Sequence, residues 1–266
     1  MHSIFNDLNI QSNSGIVYSD KLNEQTIALV SDAKNDKNAG FINLSERSRK
    51  HNVKLDDTLY GLTPFPRLGE RFVFFTYGPS GRGKTLLNVS ICFHYQRVTK
   101  LPIYYFTSKE VDIREDKTFR PYLNAGLKIK VVDMNEKFYQ NVKYTDYANS
   151  ICLFDDNDNA HNKTKLFKLI NTVAEVGRSH NISLMVITHT ASIGNIARGY
   201  MSDIQYIITF YDSLKLDQNG KTHNRLFTEY FPNLNLGSIT NFSKSNFLFI
   251  SINDKFIISN NMIMKI

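Results

Sequence analysis

The sequence predicts an α/β fold with a mostly parallel central sheet. Short apolar segments with the β-branched and aromatic content of buried strands alternate with segments whose apolar residues recur at helical spacing. A glycine-rich loop separates the first clear strand from the first clear helix, and polar residues follow the later strands. Because open parallel sheets bind ligands at the carboxyl ends of their strands, we expect a functional site along that edge.

The glycine-rich loop lies within the stretch from Arg71 to Leu87. This stretch reads R-F-V-F-F-T-Y-G-P-S-G-R-G-K-T-L-L, which predicts a strand, a loop and the start of a helix. Gly78, Gly83, Lys84 and Thr85 fit the pattern G-x-x-x-x-G-K-[ST], in which backbone N–H groups surround nucleotide phosphates. An ordinary glycine-rich turn between a strand and a helix is the alternative interpretation.

Each residue type in this loop has a physical role. Glycine permits backbone angles that a Cβ forbids and lets main-chain amides approach an anion. Lys84 is predicted to contact the β- and γ-phosphates, and the Thr85 hydroxyl is predicted to hold Mg²⁺. The residues predicted to bind the nucleotide are Gly78, Pro79, Ser80, Gly81, Arg82, Gly83, Lys84, Thr85 and Leu86.

Further strands and one long helix are predicted after the loop. The strands are expected at 101–107, at 127–132 in an edge or half-covered position, at 183–188 and at 204–210, with a C-terminal hairpin formed by 247–252 and 255–258. A helix is predicted at 162–176, ending before Gly177. Its predicted inward-facing residues are Leu166, Leu169, Ile170, Val173 and Val176.

Paired carboxylates follow another predicted strand, in the stretch S-I-C-L-F-D-D-N-D from Ser150 to Asp158. A phosphate-bound Mg²⁺ needs a carboxylate at the tip of the neighbouring strand, and Asp155 has that position. Asp156 is predicted to be the catalytic base that orients and deprotonates the attacking water. A strand that simply ends in an acidic turn is the alternative.

His189 follows the predicted strand at 183–188. A polar residue there is placed to contact the γ-phosphate or the attacking water, so His189 is a candidate catalytic sensor of hydrolysis. A hydrogen-bonded loop histidine is the alternative. Arg178 follows Gly177 and is expected to be exposed in the turn after the helix.

Composition limits the class of protein. Lys and Arg outnumber Asp and Glu by 32 to 25, and the formal charge of +7 favours polyanionic partners without identifying one. Cys92 and Cys152 lie in apolar stretches without His or Cys at ligand spacing, which argues against a disulfide and a zinc site. No apolar run reaches the roughly 18 to 20 residues of a membrane span, so we expect a soluble protein without a membrane partner.

Residues 1–66 are predicted to form a polar, lightly structured leader, and residues 67–266 the main domain.

Five motifs resemble, in the same order, those of the DNA-packaging ATPases of large DNA viruses and their relatives in the FtsK–HerA superfamily. They are G-P-S-G-R-G-K-T, Y-F-T-S-K-E, I-C-L-F-D-D-N-D, G-R-S-H-N-I-S and M-V-I-T-H-T, and the resemblance extends roughly from Arg71 to the C-terminus. It implies a P-loop NTPase three-layer sandwich of the additional-strand type, with ATP and Mg²⁺ as cofactors. It also implies a homo-oligomeric ring, translocation of double-stranded DNA, capsid proteins as partners, and a place in the infected host cytoplasm or the virion.

The resemblance also assigns roles to single residues. Lys84 and Thr85 match the phosphate and metal residues, Asp155 the Mg²⁺ carboxylate, and His189 the polar sensor position. Arg178 matches an arginine that reaches into the neighbouring subunit's ATP site, although a surface arginine paired with Glu175 is an alternative. Many superfamily members have Glu where Asp156 stands and Gln where His189 stands.

Three functions remain open at this point. The first is a DNA motor. The second is a P-loop ATPase for phage assembly or extrusion, similar to zonula-occludens-toxin-like relatives, which usually carry a membrane span. The third is an ATP-switched binding module with little turnover. Asp156 argues against the third, because a pure binder needs no second carboxylate beside Asp155.

Overall fold

The structure is a computed structural model that describes the chain in segments. They are residues 9–10, 15–16, 27–32, 39–43, 60–64, 71–109, 112–155, 157–189, 202–210, 247–253, 256–258 and 262–265. Only the backbone is described for residues 9–64 of these segments, for 256–258 and 262–265, and for positions 94, 98 and 158. The chain divides into two compact units, Gly69–Tyr206 and Met1–Leu68 with Ile207–Ile266. The predicted boundary between a leader at 1–66 and an ATPase domain at 67–266 stays a prediction.

The described strands and helices follow one another in chain order. The strands are β1 Asn9–Ile10, β2 Gly15–Ile16, β3 Ile27–Asp32, β4 Ala39–Asn43, β5 Tyr60–Pro64, β6 Val73–Tyr77, β7 Ile103–Thr107, β8 Ile129–Asp133, β9 Ser150–Phe154, β10 Ile182–Thr188, β11 Tyr206–Thr209, β12 Leu248–Ser251, β13 Phe256–Ile258 and β14 Met262–Lys265. The helices are α1 Lys84–Thr99, α2 Arg120–Asn124, α3 Glu136–Asn141 and α4 Lys163–Val176. Single 3-10 turns span Tyr144–Tyr147, Asn157–Asn159 and Gly177–His180.

The unit Gly69–Tyr206 contains a parallel sheet in which the strand order is β6-β10-β9-β7-β8. Strand β10 lies between β6, which precedes the glycine-rich loop, and β9, which precedes Asp155. This inserted strand is what the predicted additional-strand type requires, and the predicted fold class is confirmed. The expectation that Asp155 follows the strand next to β6 is wrong, because β10 lies between β6 and β9. Strand β8 ends this order, which is the edge position, one of the two positions expected for it.

The burial of individual elements follows from their sequences. All seven residues of β10, I-S-L-M-V-I-T, are buried, so both faces of this strand are covered. Helices α1 and α4 both contact β10. The inward stripe predicted for α4 is confirmed at its first four positions, which are Leu166, Leu169, Ile170 and Val173. The prediction is wrong for Val176, which is 40% exposed because it is the last residue of the helix.

Aromatic packing holds β7 against β9, the strand that Asp155 follows at the carboxyl edge. Phe106 in β7 and Phe154 in β9 stack with their ring centroids 4.2 Å apart. The Asp155 backbone N–H donates to the carbonyl of Phe106 at 3.0 Å. The position of Asp155 is therefore set by pairing and packing of two buried strands.

The other unit contains two groups of strands. In the first, β3 pairs antiparallel with β2, β4 and β5. In the second, the order is β1-β14-β13-β12-β11. Strand β13 pairs antiparallel with both β12 and β14. The pairing of β12 with β13 confirms the predicted C-terminal hairpin. Among the described residues, no helix is both long and apolar enough to cross a membrane.

Candidate nucleotide site

The loop between β6 and α1 has the backbone that its glycines permit. Gly81 and Gly83 have φ values of +77° and +83°, in the left-handed region where a side chain would be strained. Gly83 is also the N-cap of α1, and the Leu87 N–H donates to its carbonyl at 2.9 Å. The chain therefore turns from strand into helix within six residues, 78–83.

The first turn of α1 is suited to an anion. It has no acidic residue, and its N-cap glycine offers no side chain that could cap the backbone N–H groups. Helix α4, by contrast, is capped by Asn162, whose side chain accepts from the Lys165 N–H at 3.0 Å. Because free N–H groups and the helix dipole favour negative charge, the start of α1 can receive a phosphate.

The Lys84 ammonium group lies inside the loop. It is 7% exposed, and its Nζ donates to the carbonyls of Gly78 at 2.7 Å and Pro79 at 2.9 Å. Both carbonyls belong to the turn that the ammonium group spans. A phosphate bound by this loop would therefore meet a cation that the fold has already positioned.

Thr85 and Asp155 meet at the same edge of the sheet. The Thr85 hydroxyl donates to Asp155 Oδ2 at 2.7 Å, and the Tyr105 hydroxyl donates to the same oxygen at 3.1 Å. Asp155 is only 6% exposed. A buried carboxylate needs partners of this kind, and two hydroxyl groups are among the partners of Asp155.

These oxygens fit Mg²⁺. A hard cation of this size prefers oxygen ligands and is commonly bound through one or two carboxylates together with substrate phosphates. Thr85 Oγ1 and Asp155 Oδ2 provide a hydroxyl and a carboxylate next to the phosphate loop. The described residues contain no group of three His, Cys, Asp or Glu side chains that would hold a metal without a phosphate.

His189 follows β10 and reaches the loop from the neighbouring strand. Its Nδ1 lies 3.4 Å from Lys84 Nζ and 3.3 Å from the Ser80 hydroxyl. Strand β10 pairs with β6 so that Thr188 is opposite Tyr77, which places the two strand ends together. A side chain in this position is beside any phosphate held by Lys84.

The parallel strand order, the loop with its lysine, and the hydroxyl–carboxylate pair decide the fold class. The core is a P-loop NTPase fold. Its phosphate loop is residues 78–85, and its carboxylate strand is β9.

Comparison with known proteins gives the following results. No family model matches the chain, and no curated protein matches it. Among solved structures, the genome-packaging NTPase B204 of Sulfolobus turreted icosahedral virus 2, in complex with ATP-gammaS, is similar at 15% identity and a TM-score of 0.46, covering 73% of this chain and 98% of that chain. The pCW3 conjugation coupling protein TcpA is similar at 12% identity and a TM-score of 0.42, covering 80% of this chain and 63% of that chain.

A third similar structure is the KaiC-like protein PH0186 from Pyrococcus horikoshii, at 16% identity and a TM-score of 0.36, covering 53% of this chain and 71% of that chain. The fold class of this P-loop NTPase rests on its own strand order and loop geometry.

The structure brings four of the predicted site residues together, and these are Lys84, Thr85, Asp155 and His189. Of the remaining loop positions, Gly78 is buried and Pro79 partly buried, while Ser80, Gly81, Arg82, Gly83 and Leu86 are exposed. Asp156 lies outside the described residues, so its role as a base stays a prediction.

Arg178 lies at the opposite edge of the parallel sheet. It is exposed in the turn Gly177–His180, which precedes β10, whereas the phosphate loop follows β6. Burial lowers the pKa of the Arg71 guanidinium, nearby Asp203 raises it, and the positive charge of Arg178 lowers it. Arg178 therefore has Arg71 as an electrostatic neighbour, and it forms no ion pair with Glu175 in the described part of the chain.

Sequence reasoning missed residues that support the site. Asn88 is fully buried, and its Nδ2 donates to the Lys84 carbonyl at 2.8 Å and to the Thr76 hydroxyl at 2.9 Å, which joins α1 to β6. Asn157 Nδ2 donates to the Ile187 carbonyl at 2.9 Å and joins the end of β9 to β10. A polar residue one turn into the helix, within the apolar run L-L-N-V, was the available signal for Asn88. Tyr105 carried no such signal, since tyrosine is common in buried strands.

Proposed function

We propose that this chain is an ATP-hydrolysing motor that translocates double-stranded DNA and packages a viral genome into a capsid. The observation that carries the proposal is the convergence of Lys84, Thr85, Asp155 and His189 at the carboxyl edge of the sheet. A cation, a hydroxyl–carboxylate pair and an imidazole beside one loop are the groups that phosphoryl transfer needs, because its transition state spreads negative charge over the γ-phosphate oxygens.

Each side chain has a distinct task in hydrolysis. The loop amides and Lys84 would hold the β- and γ-phosphates of ATP. Thr85 and Asp155 would hold Mg²⁺, which would supply positive charge to these phosphates, while the Tyr105 hydroxyl keeps the Asp155 carboxylate oriented. Asp156, which follows Asp155 directly, takes the proton of the attacking water.

His189 links the γ-phosphate position to the rest of the sheet. Its imidazole is within hydrogen-bond range of Ser80 and close to Lys84, and it follows the fully buried strand β10. Loss of the γ-phosphate changes the partners available to this imidazole. In a motor, that change is the signal that hydrolysis has occurred.

Action on DNA is supported by the order of the five motifs and by the formal charge of +7. A ring of identical subunits would place Arg178 of one subunit beside the phosphates of the next. Such a ring, working with capsid proteins in the infected cell or the virion, is the arrangement that we propose.

The test is ATP hydrolysis by the purified protein with and without double-stranded DNA. We expect Mg²⁺-dependent hydrolysis that double-stranded DNA stimulates, and ATP-dependent displacement of a third strand from a triplex. Lys84→Ala protein prepared in parallel is the control for contaminating ATPases. Hydrolysis that is indifferent to DNA would favour an assembly or extrusion ATPase, and negligible turnover would favour an ATP-switched binding module.

A further inference from the structure

A cavity of about 600 Å³ lies at the amino-terminal edge of the parallel sheet. Its lining includes Ile103 and Ile129, the first residues of β7 and β8, and residues from the end of α1. The phosphate loop follows the other end of a parallel strand, and the five residues of β7 at about 3.3 Å each separate the two edges. The cavity is therefore distinct from the nucleotide site.

Cationic side chains from several segments converge on this cavity. They are Arg97, Lys100, Arg114, Lys128 and Lys130, and all five residues are exposed. Among the described residues, no acidic side chain lines the cavity, and none of the five cations forms an ion pair. Like charges gathered in a concave surface focus a positive potential and attract polyanions.

Stabilisation of the C-terminal end of helix α1 explains only some of these cationic side chains. Lys100 Nζ donates to the Arg97 carbonyl at 2.6 Å, and cations near a helix C-terminus interact favourably with its dipole. Arg114, Lys128 and Lys130 have no such role, since none of them belongs to that helix. Lys130 Nζ lies 5.2 Å from the ring centroid of Tyr104, a cation–π contact with an uncharged ring, so the net positive charge of Lys130 is kept.

The floor of the cavity is held in place by Gln96. This side chain is 9% exposed, and its Nε2 donates to the carbonyls of Leu101 at 3.1 Å and Lys128 at 2.6 Å. Its Oε1 accepts from the Lys128 N–H at 2.7 Å. The two bonds with Lys128 join the end of α1 to the chain that enters β8, so the segments that carry Arg97 and Lys128 keep a fixed spacing.

We propose that this cavity binds the phosphodiester backbone of double-stranded DNA. The inference rests on the proposed motor function, because DNA is the polyanion on which such a motor acts. Duplex DNA presents about one negative charge per 1.7 Å of its axis, and long exposed Lys and Arg side chains bind these phosphates without reading the sequence. The cavity thus places the DNA contact and the nucleotide site at opposite edges of one sheet.

The experiment compares DNA binding by full-length variants through fluorescence anisotropy over a range of salt concentrations. The cavity variant carries Arg114→Gln, Lys128→Gln and Lys130→Gln. The matched control carries Lys137→Gln, Lys143→Gln and Lys168→Gln, which removes three exposed charges away from the cavity. Thermal unfolding shows whether each variant is folded, and a third variant with Lys128→Arg and Lys130→Arg retains the charge.

We expect the cavity variant to lose affinity by at least about tenfold, with a log–log salt slope smaller by about 1 for each residue that contacts a phosphate. The control and the Arg variant should bind as the wild type does, and two duplexes of unrelated sequence should compete equally. DNA binding that depends on the cavity, without stimulation of ATP hydrolysis, would support DNA binding at the cavity and contradict only the proposed motor function. A folded cavity variant with the affinity and salt slope of the wild type would overturn DNA binding at the cavity alone. Absence of DNA binding by the wild type would overturn both proposals.

Discussion

The two edges of the parallel sheet differ in how completely each one forms a site. At the carboxyl edge, the predicted site residues meet in two pairs. Thr85 Oγ1 donates to Asp155 Oδ2 at 2.7 Å, and Lys84 Nζ lies 3.4 Å from His189 Nδ1. At the amino edge, exposed cations lie in a cavity or, like Arg178, on a turn, without ion-pair partners in the described part of the chain.

This difference separates chemistry done within one subunit from contacts that need a second molecule. Buried groups satisfied by their own chain form a site that is ready for a small ligand. Exposed, unpaired cations gain little stability for the monomer, since surface charges contribute only about 0 to 1 kcal/mol even when paired. We therefore expect substitutions at the amino edge to act through DNA or a neighbouring subunit.

Substitution of Arg178 has the largest expected effect among the tests of this comparison. Arg178→Ala should lower ATP hydrolysis by a factor on the order of 10³ to 10⁵, because a guanidinium supplied by a neighbour stabilises charge on the γ-phosphate. Arg178→Ala subunits keep the phosphate loop and Lys84→Ala subunits keep the arginine, so mixed assemblies should recover some of the activity that each lacks alone. If the two inactive variants co-assemble without any recovery, Arg178 does not act across an interface.

Asp156 tests the carboxyl edge at a residue outside the described part of the chain. Asp156→Asn should retain ATP binding and lose a factor of about 10² to 10⁴ in hydrolysis, since the base is removed while the shape is kept. Asp133→Asn is a matched control, because Asp133 also ends a strand of the same sheet but is exposed at its edge. Normal hydrolysis by the Asp156 variant would place the base elsewhere.

Arg71 shows that the amino edge also contains a structural arginine. Its Nε donates to the Ile182 carbonyl at 2.7 Å, and a terminal nitrogen donates to those of Val173 at 2.7 Å and Ala174 at 2.6 Å. Arg71→Met should lower the free energy of unfolding by on the order of 3 kcal/mol, because these carbonyls lose a charged donor. Urea denaturation measures this, with exposed Arg120→Met expected to stay within about 0.5 kcal/mol of the wild type. Equal losses of unfolding free energy in Arg71→Met and Arg120→Met would refute the structural role of Arg71.

Tyr105 gives the smallest expected effect. Tyr105→Phe removes one of the two hydroxyl groups that donate to Asp155 Oδ2 and leaves the ring in place. The Mg²⁺ concentration for half-maximal hydrolysis should rise about tenfold, as is usual when a partner of a metal-binding carboxylate is lost. Tyr104→Phe is the control, because successive side chains of a strand point to opposite faces. An unchanged Mg²⁺ requirement would show that Tyr105 does not orient this carboxylate.

The sequence allowed the carboxyl edge to be predicted because its residues have fixed relations to strands. Lys84 and Thr85 belong to one loop with a known spacing, and Asp155 and His189 each directly follow an apolar run. Parallel pairing then brings the strand ends together, with Thr188 opposite Tyr77 and Val186 opposite Phe154. Knowledge of strand direction was sufficient for this part of the site.

The amino edge could not be predicted in the same way. The cavity depends on the bonds of Gln96 to Leu101 and Lys128, which join segments 32 residues apart in the case of Lys128. Arg114, Lys128 and Lys130 belong to a loop and an edge strand with no motif to relate them. Tyr105 was missed for a similar reason, since its contact with Asp155 joins positions 50 residues apart on two different strands.

The most direct test of the central claim is binding of a non-hydrolysable ATP analogue to wild-type and Lys84→Ala protein by calorimetry in the presence of Mg²⁺. Lys84→Ala removes the buried ammonium group that spans the loop carbonyls of Gly78 and Pro79. The account predicts saturable binding by the wild type, its loss in Lys84→Ala, and unchanged binding in the exposed-lysine control Lys168→Ala. Equal affinity of the wild type and Lys84→Ala would contradict the assignment of this loop as the nucleotide site.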